Sequence, residues 1–566
     1  MATDTDAFLQ LNDEELGALE QIGVRRAVSA GEYLYREGDA GYDFYVVLAG
    51  AVEIVVSAKG KDRVIARHTA GRFLGELNLL TGQRVFVSAR VAEPGEVLAV
   101  PRDALRRLIA TDPSLSDKIL AAFLARRAML MTGASSAIRV IGSRFSPDSG
   151  RVREFLARNG IPHEWLDPDT DRDVERLLQE FDIAPRDLPV IIVSGKVLRR
   201  PTPGVLADYL GLTVGTMPDD GFDLIVVGAG PAGLAAAVYG ASEGLRTLVL
   251  EMVAVGGQAG SSSRIENYLG FPTGISGGDL TQRATVQAQK FGAAFSSPCT
   301  VASIQEEAGH FVLRLSNGTE FQGRAVVVAT GARYRRLDAV GLEQFESRGV
   351  YYAATELEAR ACAGSPAVVA GGGNSAGQAA LFLASAGSSV TIVIRGPDLA
   401  ASMSRYLVDR IEADKLIAVR KNARILVLEG NESLTDVRIS GPDGEERLAS
   451  TALFSFIGAD PASGWLSGFA ALDDRGFVVT DRSLGREHLG RWEALGRSPL
   501  PFETSHPGLF AVGDVRSGST KRVAAAVGEG SAAVRSVHDY LASDRHPCGG
   551  RDCAAEGGEK PDNANH

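Results

Sequence analysis

Asp223-Leu-Ile-Val-Val-Gly-Ala-Gly-Pro-Ala-Gly233, followed by Leu248-Val-Leu-Glu251, decides the fold of the largest part of this chain. The apolar run reads as a buried strand, the glycines as a tight turn, and the small residues beyond as a helix lying close on a sheet. Gly228 permits the turn, Gly230 lets a pyrophosphate approach the backbone, and Gly233 lets helix and sheet meet. Pro231 and Ala232 open the helix, whose N–H groups would face the phosphates. Glu251 ends the next strand, placed to accept hydrogen bonds from an adenosine ribose.

Around this stretch lie 566 residues, 45% of them apolar, enough for three or four domains. A formal charge of −11 argues against nucleic acid as a partner, which needs a basic face. The polar, acidic opening Met1-Ala-Thr-Asp-Thr-Asp and the lack of a long apolar run predict neither a secretory leader nor a membrane span. Four cysteines (Cys299, Cys362, Cys548, Cys553) are no disulfide framework. A cytoplasmic protein is the expectation.

Toward the N-terminus, residues 7–22 carry apolar positions at helical spacing, with Asn12 or Asp13 available as a cap. Short strands punctuated by Gly31, Gly38-Asp39, Gly50 and Gly60 predict a small β-roll, and the apolar segment 115–131 its closing helices. Gly31-Glu-Tyr-Leu-Tyr-Arg-Glu-Gly-Asp39, Phe44-Tyr-Val-Val-Leu-Ala-Gly50 and Phe73-Leu-Gly-Glu-Leu-Asn-Leu-Leu80 with Arg84 resemble the cyclic-nucleotide-binding domain family. The resemblance implies that Glu76 holds a ribose hydroxyl and Arg84 pairs with the cyclic phosphate of cyclic AMP or GMP. The stretch between these two residues is shorter than the family's, and Val85 and bulky Phe86 follow where small residues usually leave room. Nucleotide binding and a roll kept only as an interaction surface both stay open.

After the joint Thr132-Gly-Ala-Ser-Ser136, strands at 138–142, 164–167 and 188–193 alternate with helices at 149–159 and 171–181. With Pro189 before a buried strand, this resembles the glutaredoxin branch of the thioredoxin fold, which implies a cis proline beside the active cysteines. Here the active position reads Phe145-Ser-Pro-Asp-Ser149, and a hydroxyl cannot replace a thiolate in disulfide exchange. A docking or spacing role is expected instead.

Beyond a flexible linker at 215–221, residues 222–541 resemble the low-molecular-weight thioredoxin reductase family. The resemblance places Gly256-Gly-Gln258 (through Gly257 and Gln258) and Ile265-Glu-Asn-Tyr-Leu-Gly-Phe-Pro272 (through Asn267) along FAD. Ala325-Val-Val-Val-Ala-Thr-Gly331 closes the FAD half through Thr330 and Gly331, and Gly508-Leu-Phe-Ala-Val-Gly-Asp514 brings Gly513 and Asp514 to the pyrophosphate. Ala526-Val-Gly-Glu-Gly530 would open a helix toward the flavin. A second glycine turn, Ala367-Val-Val-Ala-Gly-Gly-Gly-Asn-Ser-Ala376, offers Gly371, Gly373, Asn374, Ser375 and Ala376 to a nicotinamide nucleotide. Arg395, not an acid, ends the following strand and favours a 2′-phosphate, hence NADPH over NADH, with Arg405 as a further contact.

Where the family carries its C-x-x-C, this chain has Ala353 and Glu356. Thr355 and Glu358 form a capping-box pattern there, and Glu356 either favours the helix dipole or faces the flavin as a proton donor or acceptor. Cys299 and Cys362 read as packing residues. Cys548 and Cys553, in His546-Pro-Cys-Gly-Gly-Arg-Asp-Cys553, are either incidental thiols of a disordered tail or a swinging dithiol. No metal site is read. The insertion Arg486 to Phe502, with Trp492, covers the flavin or contacts a partner.

The expectation is a multidomain chain: a cyclic-nucleotide-binding-like β-roll with helices (1–133), a thioredoxin-fold α/β domain (137–213), and two Rossmann-like α/β domains. These are a split FAD domain (221–345 and 462–543) and an NAD(P)H domain (346–461), with a tail at 544–566. The implied activity is an FAD-dependent NAD(P)H oxidoreductase of thioredoxin reductase type, homodimeric by resemblance, with the electron acceptor open. The alternative is a flavin- and nucleotide-binding signalling scaffold with little turnover.

Overall fold

The computed structural model describes residues 6–544 except 59–60, 133–137, 144–145, 169–170, 172, 194–195, 215–220, 263, 347–348, 353, 355–358, 360–361, 432 and 443. Ala353, Thr355, Glu356, Glu358, Cys548 and Cys553 therefore lie outside the described residues, as does most of the 215–221 linker.

Asn12 caps the helix Asp13–Glu20 reciprocally with Glu15: each backbone N–H donates to the other's side chain at 2.8 Å. The helix is shorter than the 7–22 pattern because residues 6–8 form a separate 3-10 turn. A six-stranded antiparallel roll follows, built on Phe44–Ala58 between Ser88–Val100 and Lys61–Thr69. The helices Arg102–Thr111 and Pro113–Thr132 close it. One core lies between roll and helices, around Phe44, Phe73 and Phe123, and a second inside the roll around Val47, Val52 and Leu74.

The next unit is a four-stranded sheet in the order Lys196–Arg199, Val190–Val193, Ile138–Ile141, Glu164–Leu166, with only the last pair parallel. Pro189 follows a cis peptide bond, and a Cβ built on Gly142 would touch both Ser149 Oγ at 2.5 Å and Pro189 Cβ at 3.3 Å. Ser146 caps the helix Pro147–Arg158, its hydroxyl accepting the Ser149 N–H at 3.4 Å. Ser149 is fully buried, and among the described residues its hydroxyl finds no partner. The strand Lys196–Arg199 and the helix Pro203–Leu210 extend this unit past the turn where the sequence pattern ends.

The largest sheet has seven strands around Phe222–Val227, which pairs in parallel with Thr247–Leu250 and Glu320–Val328. Its Ile, Leu and Val side chains are buried on both faces, as a sheet covered on two sides requires. The helix Pro231–Ser242 lies on one face against Val523–Asp544. That last helix starts three residues before Ala526, so its free N–H end lies at Val523, not at the 526–530 segment.

A two-stranded ribbon, Ala332–Tyr334 with Ala459–Pro461, lies where the chain leaves and re-enters this half. Between them sit a parallel five-stranded sheet centred on Ala367–Ala370 and a three-stranded antiparallel sheet over Arg424–Gly430, Leu434–Gly441 and Gly444–Ala449.

The insertion at 486–502 is anchored by one buried carboxylate. Glu503 accepts from Trp492 Nε1 (3.0 Å), Arg497 Nη1 and Nη2 (2.7 and 2.8 Å) and the backbone N–H groups of Leu500 and Gly508 (2.8 and 3.0 Å). Burial alone would raise its pKa; Arg497 and the other donors outweigh that and hold it below the ordinary value.

The serines at 146 and 149 should respond oppositely to loss of the hydroxyl. Ser146→Ala removes a helix cap and should cost about 1 kcal/mol. Ser149→Ala deletes an unsatisfied buried hydroxyl and should be neutral or stabilising by about 1 kcal/mol. Urea unfolding followed by circular dichroism distinguishes the two; a Ser149→Ala loss larger than that of Ser146→Ala would contradict the assignment.

Candidate functional site

The turn after Phe222–Val227 has φ +105° at Gly228, where any Cβ would overlap the Ala329 carbonyl. A Cβ on Gly233 would overlap the Gly228 carbonyl in turn. Gly230, by contrast, faces open space: the nearest heavy atom to an added Cβ is Gly257 Cα at 4.0 Å. Glu251 holds the turn, accepting the N–H groups of Ala229 (2.8 Å) and Val253 (2.9 Å). Two of its roughly four lone-pair sites stay available to a ribose.

The other residues expected along FAD arrive from separate loops. Gln258 donates its amide to the Ala332 carbonyl, and Thr330 Oγ1 donates to the Ala462 carbonyl at 2.8 Å, so both tie the site to the inter-half ribbon. Gly331 accepts the Ala462 N–H at 3.0 Å. Gly513 adjoins Ala232 and donates its N–H to Glu529 Oε2 at 2.7 Å. Burial raises the Asp514 carboxyl, with Glu529 adding to the shift and Lys521 opposing it. Asn267 lies exposed in the loop between the paired residues Ile265 and Ile275. The structure thus gathers Gly228, Ala232, Glu251, Gly257, Thr330 and Gly513 about one helix N-terminus.

The second glycine turn repeats the design. A Cβ on Gly371 would overlap the Phe456 carbonyl, while Gly373 caps the helix Asn374–Ser385 with open space before it. Asn374 Oδ1 accepts the Ser404 N–H at 2.7 Å, fixing the loop beside the helix start. Ala376 is fully buried. Ser375, Gln378 and Phe456 line a cleft whose other wall is Ser262, Arg264 and Tyr334 of the flavin half. Arg395 stands exposed just past Val390–Val393, whereas Arg405, 78% exposed, is already engaged by Asp409 at 2.8 Å.

In the roll, neither expected ligand-binding side chain is free. Glu76 is buried in a bidentate pair with Arg127, which donates from Nε and, at 2.9 Å, from Nη2. Arg84 Nε donates to the Tyr209 carbonyl at 2.5 Å and Nη1 to the Gly38 carbonyl at 2.8 Å. Arg127, Gln83 and Tyr209 were not singled out in the sequence. The Thr202-Pro203 cap and Gly211 stop do mark the helix that carries Tyr209. Arg158, another unforeseen residue, donates to the Gly257 carbonyl at 3.3 Å, from the second unit into the flavin loop.

Cys362 is buried, and Cys299 is half-buried with its sulfur 3.1 Å from the Ser296 carbonyl; neither is in a disulfide. Burial pushes the Cys299 thiol up to about 11. Among the described residues no His, Cys, Asp and Glu cluster could hold a metal, and no helix is long and apolar enough to cross a membrane.

Two family models match the chain: pyridine nucleotide-disulphide oxidoreductase over residues 222–530, and cyclic nucleotide-binding domain over residues 25–112. Thioredoxin reductase of Listeria monocytogenes is 31% identical over 330 residues, covering 56% of this chain and 94% of its own. That of Treponema pallidum is 34% identical over 325 residues, covering 56% and 97%. The solved thioredoxin reductase of T. acidophilum is 28% identical with a TM-score of 0.51, covering 57% of this chain and 99% of that one.

Thiol titration checks the cysteine assignment. With Cys548→Ser and Cys553→Ser in place, an aromatic disulfide reagent at pH 7.5 should find no fast thiol in the native protein and two after denaturation. The slow native rate should climb as pH rises toward 11, where Cys299 ionises. A fast-reacting native thiol at neutral pH would refute an inert Cys299 and Cys362.

Proposed function

The chain belongs to the pyridine nucleotide-disulphide oxidoreductase family, and from that premise we propose which residues serve its reaction and how its extra units modify it. It is a thioredoxin reductase-like, NAD(P)H-dependent flavoprotein oxidoreductase carrying a cyclic nucleotide-binding domain, and the family uses FAD and NADPH. The observation that carries the residue assignment is a pair of glycine turns, each opening a helix with clear space before its first N–H groups.

Both cofactors fit what is built here. Gly228, Gly230, Pro231, Ala232 and Gly233 would cradle the FAD pyrophosphate, with Gly257, Gly513 and Asp514 closing around it and Glu251 on the ribose. Gln258, Asn267, Thr330 and Gly331 would border the remainder. Gly371, Gly373, Asn374, Ser375 and Ala376 would take the NADPH phosphates, with Arg395 on the 2′-phosphate and Arg405 beside it. Bound FAD supplies a two-electron relay between NADPH and an acceptor. The chain's own part is to hold two dinucleotides on facing halves and to keep water from the cleft lined by Tyr334 and Phe456.

With Ala353 and Glu356 at the family's cysteine positions, the acceptor does not draw electrons through a dithiol there. Oxygen, a quinone or a disulfide reached directly or through Cys548 and Cys553 remain as acceptor classes, a thioredoxin among them, and Glu356 is the candidate proton carrier. We assign the second unit (137–213) to the glutaredoxin branch of the thioredoxin fold. The support is its strand order and Pro189 beside Ser149, on the side where Ser146 caps the helix. Its serines make it a docking element, not a redox one. The other limits follow the same reading: 1–133 for the roll, 221–345 with 462–543 for FAD, 346–461 for NAD(P)H. A cytoplasmic homodimer regulated by a cyclic nucleotide at Glu76 and Arg84, each released from its present partner, completes it.

Anaerobic mixing of the FAD-loaded protein with NADPH in a stopped-flow instrument should bleach the flavin band within seconds. Bleaching slower than minutes would favour the scaffold. Arg395→Ala should raise KM for NADPH by about tenfold, a loss of about 1.4 kcal/mol, and leave NADH within about twofold. An equal effect on both coenzymes would remove Arg395 from the 2′-phosphate.

A further inference from the structure

The segment 76–86 of the roll is the place where a cyclic nucleotide would be gripped, and in this structure the second unit fills it. Arg84 offers two donors: its guanidinium Nε meets the Tyr209 carbonyl at 2.5 Å, and its own backbone N–H meets the Leu210 carbonyl at 3.0 Å. Those carbonyls are the end of the helix Pro203–Leu210, which carries partial negative charge. A guanidinium together with a neighbouring backbone N–H is also what a phosphate selects. The helix end therefore occupies the position of an anion.

The rest of the cassette is spent in the same way. The Arg84 guanidinium lies over the Tyr209 ring, 5.3 Å from its centroid. Phe86, in the place that should leave room for a ligand, is buried in the core of the second unit with Ile138, Phe155 and Leu156. Arg127 pairs with Glu76 and reaches on to the Gly160 carbonyl at 3.2 Å. Gly211, at φ +73°, brings the helix end so near that an added Cβ would lie 3.0 Å from the Gly82 carbonyl.

We propose that this cassette is a latch in which the C-terminal end of Pro203–Leu210 and a cyclic nucleotide compete for Arg84, so that ligand binding and docking of the second unit exclude each other. The proposal rests on the cyclic nucleotide reading above and adds its mechanism. Docking also reaches the flavin half, through Arg158 on the Gly257 carbonyl and the Leu212 carbonyl accepting the Ser297 N–H at 3.0 Å. Release at the roll thereby loosens contacts at the flavin loop.

The test uses the full-length FAD-loaded protein with cyclic AMP and cyclic GMP as probes. Gly211→Val forces a side chain against Gly82 and should raise nucleotide affinity by at least about tenfold, because a mostly docked ground state taxes the apparent affinity. Tyr209→Ala, which leaves the helix intact, should move affinity the same way by a smaller factor, and Arg84→Ala added to either should abolish the gain. On the unmodified chain, saturating nucleotide should speed amide hydrogen exchange across 206–214. Equal affinity for all forms, with no change in that exchange, overturns the exclusion while leaving the nucleotide reading intact. Binding to none of them, with melting curves showing folded protein, overturns the nucleotide reading and the exclusion with it; NADPH bleaching tests the oxidoreductase separately.

Discussion

In the flavin half the helix Pro231–Ser242 meets its own turn and a second helix backbone to backbone at two glycines, and the site depends on that contact. Cβ atoms at Gly233 and Gly530 would overlap the carbonyls of Gly228 and Ala232, so the helix Pro231–Ser242 is clamped between the turn below it and the helix Val523–Asp544 above. Interiors are packed too densely to yield a methyl group's width without shifting an element. The clamp fixes where the helix N-terminus points, and hence where a pyrophosphate would lie. Glu251 then reaches the Ala229 N–H, and Gly513 reaches Ala232, only because that end is fixed. The nicotinamide half repeats the constraint with Gly371 against Phe456.

How much of this was legible in the sequence follows from the range of each interaction. The glycine turns are local: a positive φ and a close approach leave only glycine acceptable, so the residue type itself reports the geometry. The Asn12 cap is local in the same sense, since its partner Glu15 is three residues away. The helix Pro203–Leu210 carries equally local signals, Thr202 before Pro203 and Gly211 after Leu210, yet lies beyond the turn at which the strand and helix alternation ends. The three-stranded sheet over 424–449 escaped because its strands are half exposed and mixed in polarity.

The remote pairs were not legible. Arg84 and Tyr209 are 125 residues apart, and Glu76 and Arg127 are 51 apart. Nothing in either neighbourhood encodes which of several buried cations will meet which carboxylate or carbonyl, because that is settled by how folded units fit together. The Glu503 cluster is a milder case. Trp492 and Arg497 lie within eleven residues of it, but only burial makes the carboxylate demand all its donors at once. The insertion is thereby bound to its own half by a satisfied charge, and Leu500 and Phe502 pack against the core of that half.

The serine-bearing unit is held between the roll and the flavin half by the end of one helix. Its helix Pro147–Arg158 is seated by buried Val152, Phe155 and Leu156, and its last turn touches both neighbours: Gly160 takes a hydrogen bond from Arg127 of the roll, and Arg158 gives one to Gly257 of the flavin loop. A rigid element gripped at one end by two domains is what coupling between them needs, provided it has two discrete positions. Each hydrogen bond is worth about 1 kcal/mol net, somewhat more with a charged donor. Two such bonds give about 2–3 kcal/mol, enough for a tens-fold effect of one site on the other. A thiol at position 146 would add nothing to this and would weaken the cap that seats the helix. Ser146 thus serves the seating of the helix on which both contacts depend.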